Sequence, residues 1–238
     1  MFDFSDQVVM VAGAAGNLGQ AVARAFAAAG ARLVLLDHAP DRLRLLFPEW
    51  ADSPQHLLFG AVDANDADRV QQVVQDTLAH LGRIDVLANT VGGWQGGVPV
   101  HEMSPEMWDA MLTLNARTAF ILSRAVVPPM LEQGSGRIIH TAARAALAGS
   151  GKAAAYSAAK GAVVRLVESL AAELRDRGIT VNCVLPGTID TPQNRAAMPK
   201  ADPGRWVPPE AIANIFLFLA SAAAWPVNGA AIPVYGRS

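Results

Sequence analysis

A strand-length apolar run, Val8–Ala12, leads directly into Gly13-Ala14-Ala15-Gly16-Asn17-Leu18-Gly19, and then into a stretch of helical composition, Gln20 to Ala29, that stops at Gly30. This strand–glycine loop–helix unit constrains the fold more than any other part of the chain. Gly13 allows a tight turn, Gly16 lets backbone approach a pyrophosphate, and Gly19 permits close helix–strand packing. The free amides at the helix N-terminus can then hold anionic phosphates. A second strand, Arg32 to Leu36, ends at Asp37. A carboxylate there can accept hydrogen bonds from adenosine ribose hydroxyls and repel a 2′-phosphate, so NAD(H) is preferred. Arg42 is close enough in sequence to keep NADP(H) as the alternative, and Asp37 could also simply start a turn before Pro40.

The alternation continues. Leu57 to Val62 reads as a strand leading to Asp63, Asp66 to Leu81 as a helix, and Asp85 to Ala88 as the fourth strand. Asn89 then opens a loop, Gly92-Gly93-Trp94-Gln95-Gly96-Gly97, at a strand's C-terminal end, where open α/β sheets bind ligands. Trp94 could cover a flat ring or plug the core. Ser104 to Glu132 is largely helical, with Asn115 inside it, an unfavourable mid-helix residue unless it has a task. Arg137 to Thr141 and Thr180 to Leu185 are further strands, and Ala231 to Val234 is the last. Gln193 to Pro209 has little periodicity and suits a substrate lid. Strands alternating with helices specify one doubly wound parallel α/β domain over residues 1–238.

Chemistry concentrates in Tyr156-Ser157-Ala158-Ala159-Lys160, within a run whose apolar spacing is helical. Tyr156 and Lys160 are four apart and project from the same side of that helix. An ammonium beside a phenol favours phenolate, so the expectation is a Tyr156 pKa drawn down from about 10 toward the working pH, fit for proton transfer. The bland alternative is a lysine snorkelling to water.

Composition narrows the remaining options. A formal net charge of -2 gives no electrostatic case for nucleic acid or an acidic membrane. The acidic N-terminus does not resemble a secretory signal, and Ile212 to Trp225 is too short to span a bilayer, so a cytoplasmic location is expected. The five histidines and Cys183 have no metal-ligand spacing, so no metal site is expected, and Cys183 reads as a buried strand thiol.

Taken together, these residues resemble the short-chain dehydrogenase/reductase family over essentially the whole chain. The matches are the Gly13–Gly19 loop, Asp37, Asp63, Asn89 with Gly92, Asn115, Tyr156-x-x-x-Lys160 and Pro186-Gly187-x-x-x-Thr191. The resemblance implies a seven-stranded Rossmann fold with a dinucleotide across the strand ends. It puts Asp63 near the adenine, Ile189 and Thr191 at the nicotinamide carboxamide, and Lys160 on the nicotinamide ribose as well as beside Tyr156. Asn115 would hold a water in the proton path. It also implies a homodimer or homotetramer that pairs the helices carrying Asn115 and Tyr156, acting on a small molecule.

One departure stands out. Thirteen residues before the Tyr the family usually carries Ser; here the residue is Ala143. Losing one such donor to a developing oxyanion costs about 3 kcal/mol, or roughly a hundredfold in rate. Within the family the chain looks like the dihydropteridine reductase branch, which also has Ala there. The shared pieces include Gly92-Gly93-Trp94-x-Gly96-Gly97, Ala143-x-Ala145-Ala146-Leu147-x-Gly149 and Asn194-Arg195-x-x-Met198-Pro199-x-Ala201-Asp202-x-x-x-Trp206. Hydride transfer to a conjugated C=N or C=O follows, with a quinonoid dihydropterin as candidate and Trp94, Ala143, Asn194, Met198 and Trp206 around it. Two alternatives stay open: a carbonyl reductase or alcohol dehydrogenase acting on a simple ketone or alcohol, and a non-catalytic NAD-binding protein.

Overall fold

The computed structural model describes residues 2–237. Seven strands form one parallel sheet in the order β3-β2-β1-β4-β5-β6-β7. They are β1 Val8–Ala12, β2 Arg32–Leu36, β3 Leu57–Phe59, β4 Val86–Asn89, β5 Gly136–Thr141, β6 Ile179–Pro186 and β7 Ala231–Val234. The helices are α1 Asn17–Ala28, α2 Arg42–Leu46, α3 Ala67–Leu81, α4 Pro105–Leu112, α5 Thr118–Gln133, α6 Ala154–Leu174, α7 Pro192–Ala197 and α8 Pro209–Ala220. The order reverses between β1 and β4, the point at which such sheets open a crevice.

Both faces of the sheet are covered, so the central strands are apolar throughout rather than alternating. Val8, Met10, Val34, Leu87, Ile138 and Val181 pack with α3, α5 and α6, through Val73, Leu122, Val126, Val163 and Val167 among others. Val9, Val11, Leu33, Leu35, Val86 and Ile139 pack on the other face with Val22 and Phe26 of α1 and Ile212 and Phe216 of α8. Cys183 is buried on β6 and unbridged. Two helix starts follow from their capping residues. The Asp66 side chain accepts from the Arg69 amide at 3.0 Å, and Ser104 Oγ accepts from the Met107 amide ahead of a helix that begins with Pro105.

Three expectations are revised. The strand expected over 57–62 ends at Phe59, because Gly60 and the positive φ of Ala61 turn the chain. The helix expected over 104–132 is two helices joined by a five-residue π-turn, Thr113–Arg117, with Asn115 at its centre. The segment expected to be irregular over 193–209 contains α7 and a short 3-10 turn, Pro203–Arg205. No helix among the described residues is long and apolar enough to cross a membrane.

Candidate active site

The strand ends of β1, β2 and β4 open onto a cavity of about 310 Å³, lined by Gly13, Gly16, Asp37, Asp63 and Gly92 together with Ala15, His38 and Arg42. A second cavity, about 820 Å³, runs on from it past Gly16 and Thr90–Gly92 to Tyr156 and Lys160. The two share lining residues and form one groove along the sheet's C-terminal edge. At its start, a Cβ on Gly19 would collide with the Gly13 carbonyl oxygen, so only glycine lets α1 pack this tightly on the loop. No side chain caps α1, so its first amides face the groove. Asp37 is buried, with its carboxylate accepting from the Ala15 amide of the glycine loop at 3.0 Å and from the Ala39 amide at 3.0 Å. These features fit a dinucleotide: open helix-end amides, a loop with no room for side chains, and a carboxylate at the end of β2.

Lys160 is only 3% exposed, so it does not snorkel. Its Nζ donates to the Thr141 carbonyl at 2.8 Å and lies 5.9 Å from the centre of the Tyr156 ring. Burial brings the Lys160 pKa down from 10.5 to about 8. The expected acidification of Tyr156 is reversed. Burial pushes the phenol up from 10.0 to about 12, because the loss of water around it dominates.

Asn115 is 1% exposed and lines neither cavity. Its Oδ1 accepts from the Gly93 amide at 3.2 Å, and its Nδ2 donates to the Gly93 and Met111 carbonyls at 3.0 Å each. A Cβ on Gly92 would sit 2.8 Å from Lys160 Nζ and 2.9 Å from Asn115 Oδ1. The lysine and the asparagine thus converge on one point beside the loop.

The other expected positions divide clearly. Asn17, Leu18, Gly19, Pro186, Gly187, Ile189, Thr191, Ala143, Trp94, Asn194 and Met198 all line the larger cavity. Thr191 also caps α7, its Oγ1 accepting from the Asn194 amide at 3.1 Å, while Asn194 Nδ2 donates to the Ile189 carbonyl at 2.8 Å. Trp94 stands at the rim, 64% exposed. Two of the expected positions, like Asn115, lie outside the lining. Trp206 is buried and lines neither cavity, because the turn over Pro203–Arg205 folds it inward. Asn89 lines neither cavity as well; it is buried behind the loop, its Oδ1 accepting from the Val91 amide at 3.0 Å. Sequence reasoning missed His38, Thr90, Val91 and Arg144 in the lining. Each of these adjoins a residue that was singled out, which was the available signal.

The short chain dehydrogenase family model matches residues 7–202. D-threitol dehydrogenase of Mycolicibacterium smegmatis is 35% identical, over 99% of this chain and 94% of that protein. The 3-oxoacyl-[acyl-carrier-protein] reductase FabG of Thermotoga maritima is 32% identical, over 97% and 96%. The solved structure of gox2181 superposes with a TM-score of 0.92 at 29% identity, covering 98% of this chain and 96% of that one. With the parallel seven-stranded sheet and the groove along its edge, these likenesses make the chain an oxidoreductase of the short-chain dehydrogenase family.

Proposed function

We propose that the protein uses NAD(H) to move a hydride between nicotinamide and a conjugated C=N or C=O, with a quinonoid dihydropterin as the candidate substrate. The observation carrying this reading is Ala143. It lines the larger cavity alongside Tyr156 and Lys160, where the family usually presents a hydroxyl. The two hydroxyls nearest to it in sequence do not replace that donor. Thr141 Oγ1 is committed to the Asn89 carbonyl at 2.9 Å, and Ser150 is exposed and outside the lining. An electrophile that delocalises its charge needs a localised oxyanion donor less than a simple ketone does. Trp94 at the rim gives such a flat ring a stacking surface.

The Gly13–Gly19 loop and the first turn of α1 would hold the pyrophosphate, Asp37 the adenosine ribose, Asp63 the adenine side, and Ile189 and Thr191 the carboxamide end. The dinucleotide, when bound, supplies or accepts the hydride. Tyr156, held protonated by burial, delivers the proton, which suits the reductive direction. Lys160 remains cationic below about pH 8 and restores that proton. Lys160 Nζ and Asn115 Oδ1 converge on the same side of Gly92, 2.8 and 2.9 Å from where its Cβ would be, which supports a place for the asparagine beside the proton path. The Asn17–Gln193 hydrogen bond, 2.8 Å across the groove, supports α7 and the residues up to 209 as a lid. Exposed Trp108 and Phe120 on the helices flanking Asn115 support self-association as a homodimer or homotetramer that pairs the helices carrying Asn115 and Tyr156.

The names of the relatives favour a second reading, reduction of a simple ketone or oxidation of an alcohol. NADH oxidation measured with quinonoid dihydropterin and with a ketone panel separates the two. Turnover of ketones alone rejects the first reading. An Ala143→Ser variant sharpens the test: little change is expected on the pterin, against up to a hundredfold gain on ketones if the second reading holds.

A further inference from the structure

His140 lies in β5 with no solvent exposure, one residue before the carbonyl that Lys160 holds. Its ring is gripped at both nitrogens, Nδ1 by Asn89 Nδ2 at 3.0 Å and Nε2 by Ser123 Oγ at 2.9 Å. The hydrogen-bond directions follow from the neighbours. Asn89 Oδ1 accepts from the Val91 amide, so its nitrogen faces the ring and donates to Nδ1. The ring proton is then on Nε2 and goes to Ser123, whose own hydroxyl donates onward to the Ala119 carbonyl at 2.8 Å. Every polar atom in the chain from α5 to β4 is satisfied by this one arrangement.

We infer that His140 is a positioning residue for the dinucleotide: its Nε2–H ring fixes the Asn89 amide, and through it the Thr90–Gly92 backbone shared by both cavities. The inference rests on the proposal that this groove holds the cofactor. Thr90, Val91 and Gly92 line both cavities, whereas Asn89 and His140 line neither, so any effect of the imidazole on binding passes through the loop. Other bonds also hold the loop at its start: the Thr90 amide and Oγ1 donate to the Ala12 carbonyl at 3.0 and 2.7 Å, Thr90 Oγ1 reaches the Gly13 carbonyl at 3.2 Å, and Thr141 Oγ1 donates to the Asn89 carbonyl. The Asn89 side chain alone controls the Val91 amide, and without an acceptor at Nδ1 its buried nitrogen would have to turn away. Burial, reinforced by the Lys160 charge, brings the His140 pKa down to about 3, so the ring stays neutral and carries no proton in turnover.

Two variants separate positioning from space filling. In His140→Asn the side-chain oxygen takes the place of Nδ1, which keeps the acceptor for Asn89. In His140→Gln the amide reaches toward Ser123 and the acceptor is lost, although the volume is better preserved. NADH affinity by fluorescence titration is expected to fall about five- to tenfold in His140→Gln and by less than about twofold in His140→Asn, with kcat at saturating NADH nearly unchanged in both. A filler role predicts the opposite order, since asparagine leaves the larger void. Equal losses, a worse loss in His140→Asn, or unchanged binding in His140→Gln overturns the inference. Nitrogen-15 NMR of the wild-type protein gives a readout that does not depend on variant folding: Nε2 should carry the proton, and a protonated Nδ1 overturns the inference. Failure of the wild-type protein to bind NADH or NADPH would instead refute the functional proposal and leave the NMR result standing.

Discussion

Lys160→Met should stabilise the protein at neutral pH while removing its activity. The lysine is fully enclosed, and its pKa falls from 10.5 to about 8 through burial. At about 1.4 kcal/mol per tenfold change in proton affinity, the folded state gives up roughly 3 kcal/mol to keep the group charged below pH 8. The charged bond to the Thr141 carbonyl returns about 2 kcal/mol, which the variant loses. The net expectation at pH 7 is a gain of roughly 1 kcal/mol for Lys160→Met. The sign of the pH dependence follows from proton counting. Between about pH 8 and 10.5 the unfolded chain binds more protons at this lysine than the folded one, so the wild-type protein recovers stability with rising pH relative to the variant. Near pH 10.5 the gap should close or reverse. Tyr156 and Cys183, both raised to about 12, titrate in both proteins and largely cancel in the difference. Urea unfolding of both proteins at pH 7 and in steps to pH 10.5 measures this directly. A variant less stable than wild type at pH 7, or a gap that does not change with pH, would refute the reasoning.

Other outcomes follow from the same geometry. Gly92→Ala places a methyl 2.8 Å from Lys160 Nζ and 2.9 Å from Asn115 Oδ1, so kcat should fall at least about tenfold with the fold retained by circular dichroism. Tyr156→Phe should lower kcat by about a hundredfold or more while NADH affinity stays within a few-fold, measured by stopped-flow and titration; undiminished turnover would remove the phenol from the mechanism. Asp37→Ser should shift the ratio of kcat/KM for NADPH over NADH upward by about tenfold or more, because the carboxylate is lost while Arg42 and His38 remain at that end of the groove.

The layers of the fold were legible because the strands and helices bury periodic or continuous apolar faces, and β1, β2 and β7 fall where the apolar runs end. The glycine loop was legible for a related reason: a spacing forced by steric contact leaves its mark on sequence. What escaped depends on three-dimensional surroundings. The π-turn at Thr113–Arg117 has no periodic signature, and Asn115 showed only as an ill-placed polar residue. The direction of the Tyr156 shift required knowing how far the fold takes the phenol out of water. Trp206 resembled a substrate residue on pattern alone, yet packing turns it inward. His140 gave no signal, because a histidine in a strand looks the same whether it fills space or holds a network.

The π-turn puts one residue more into the rod running from Pro105 to Gln133 than a regular helix of that length would contain. Everything beyond it is therefore out of phase by about 100° with everything before it. Deleting a single residue there would bring the two halves back into step. Either the Asn115 amide would then swing off Gly93, or Leu122, Val126 and Met130 would rotate away from the sheet. Regularity in this rod is thus incompatible with serving the groove and the core at once.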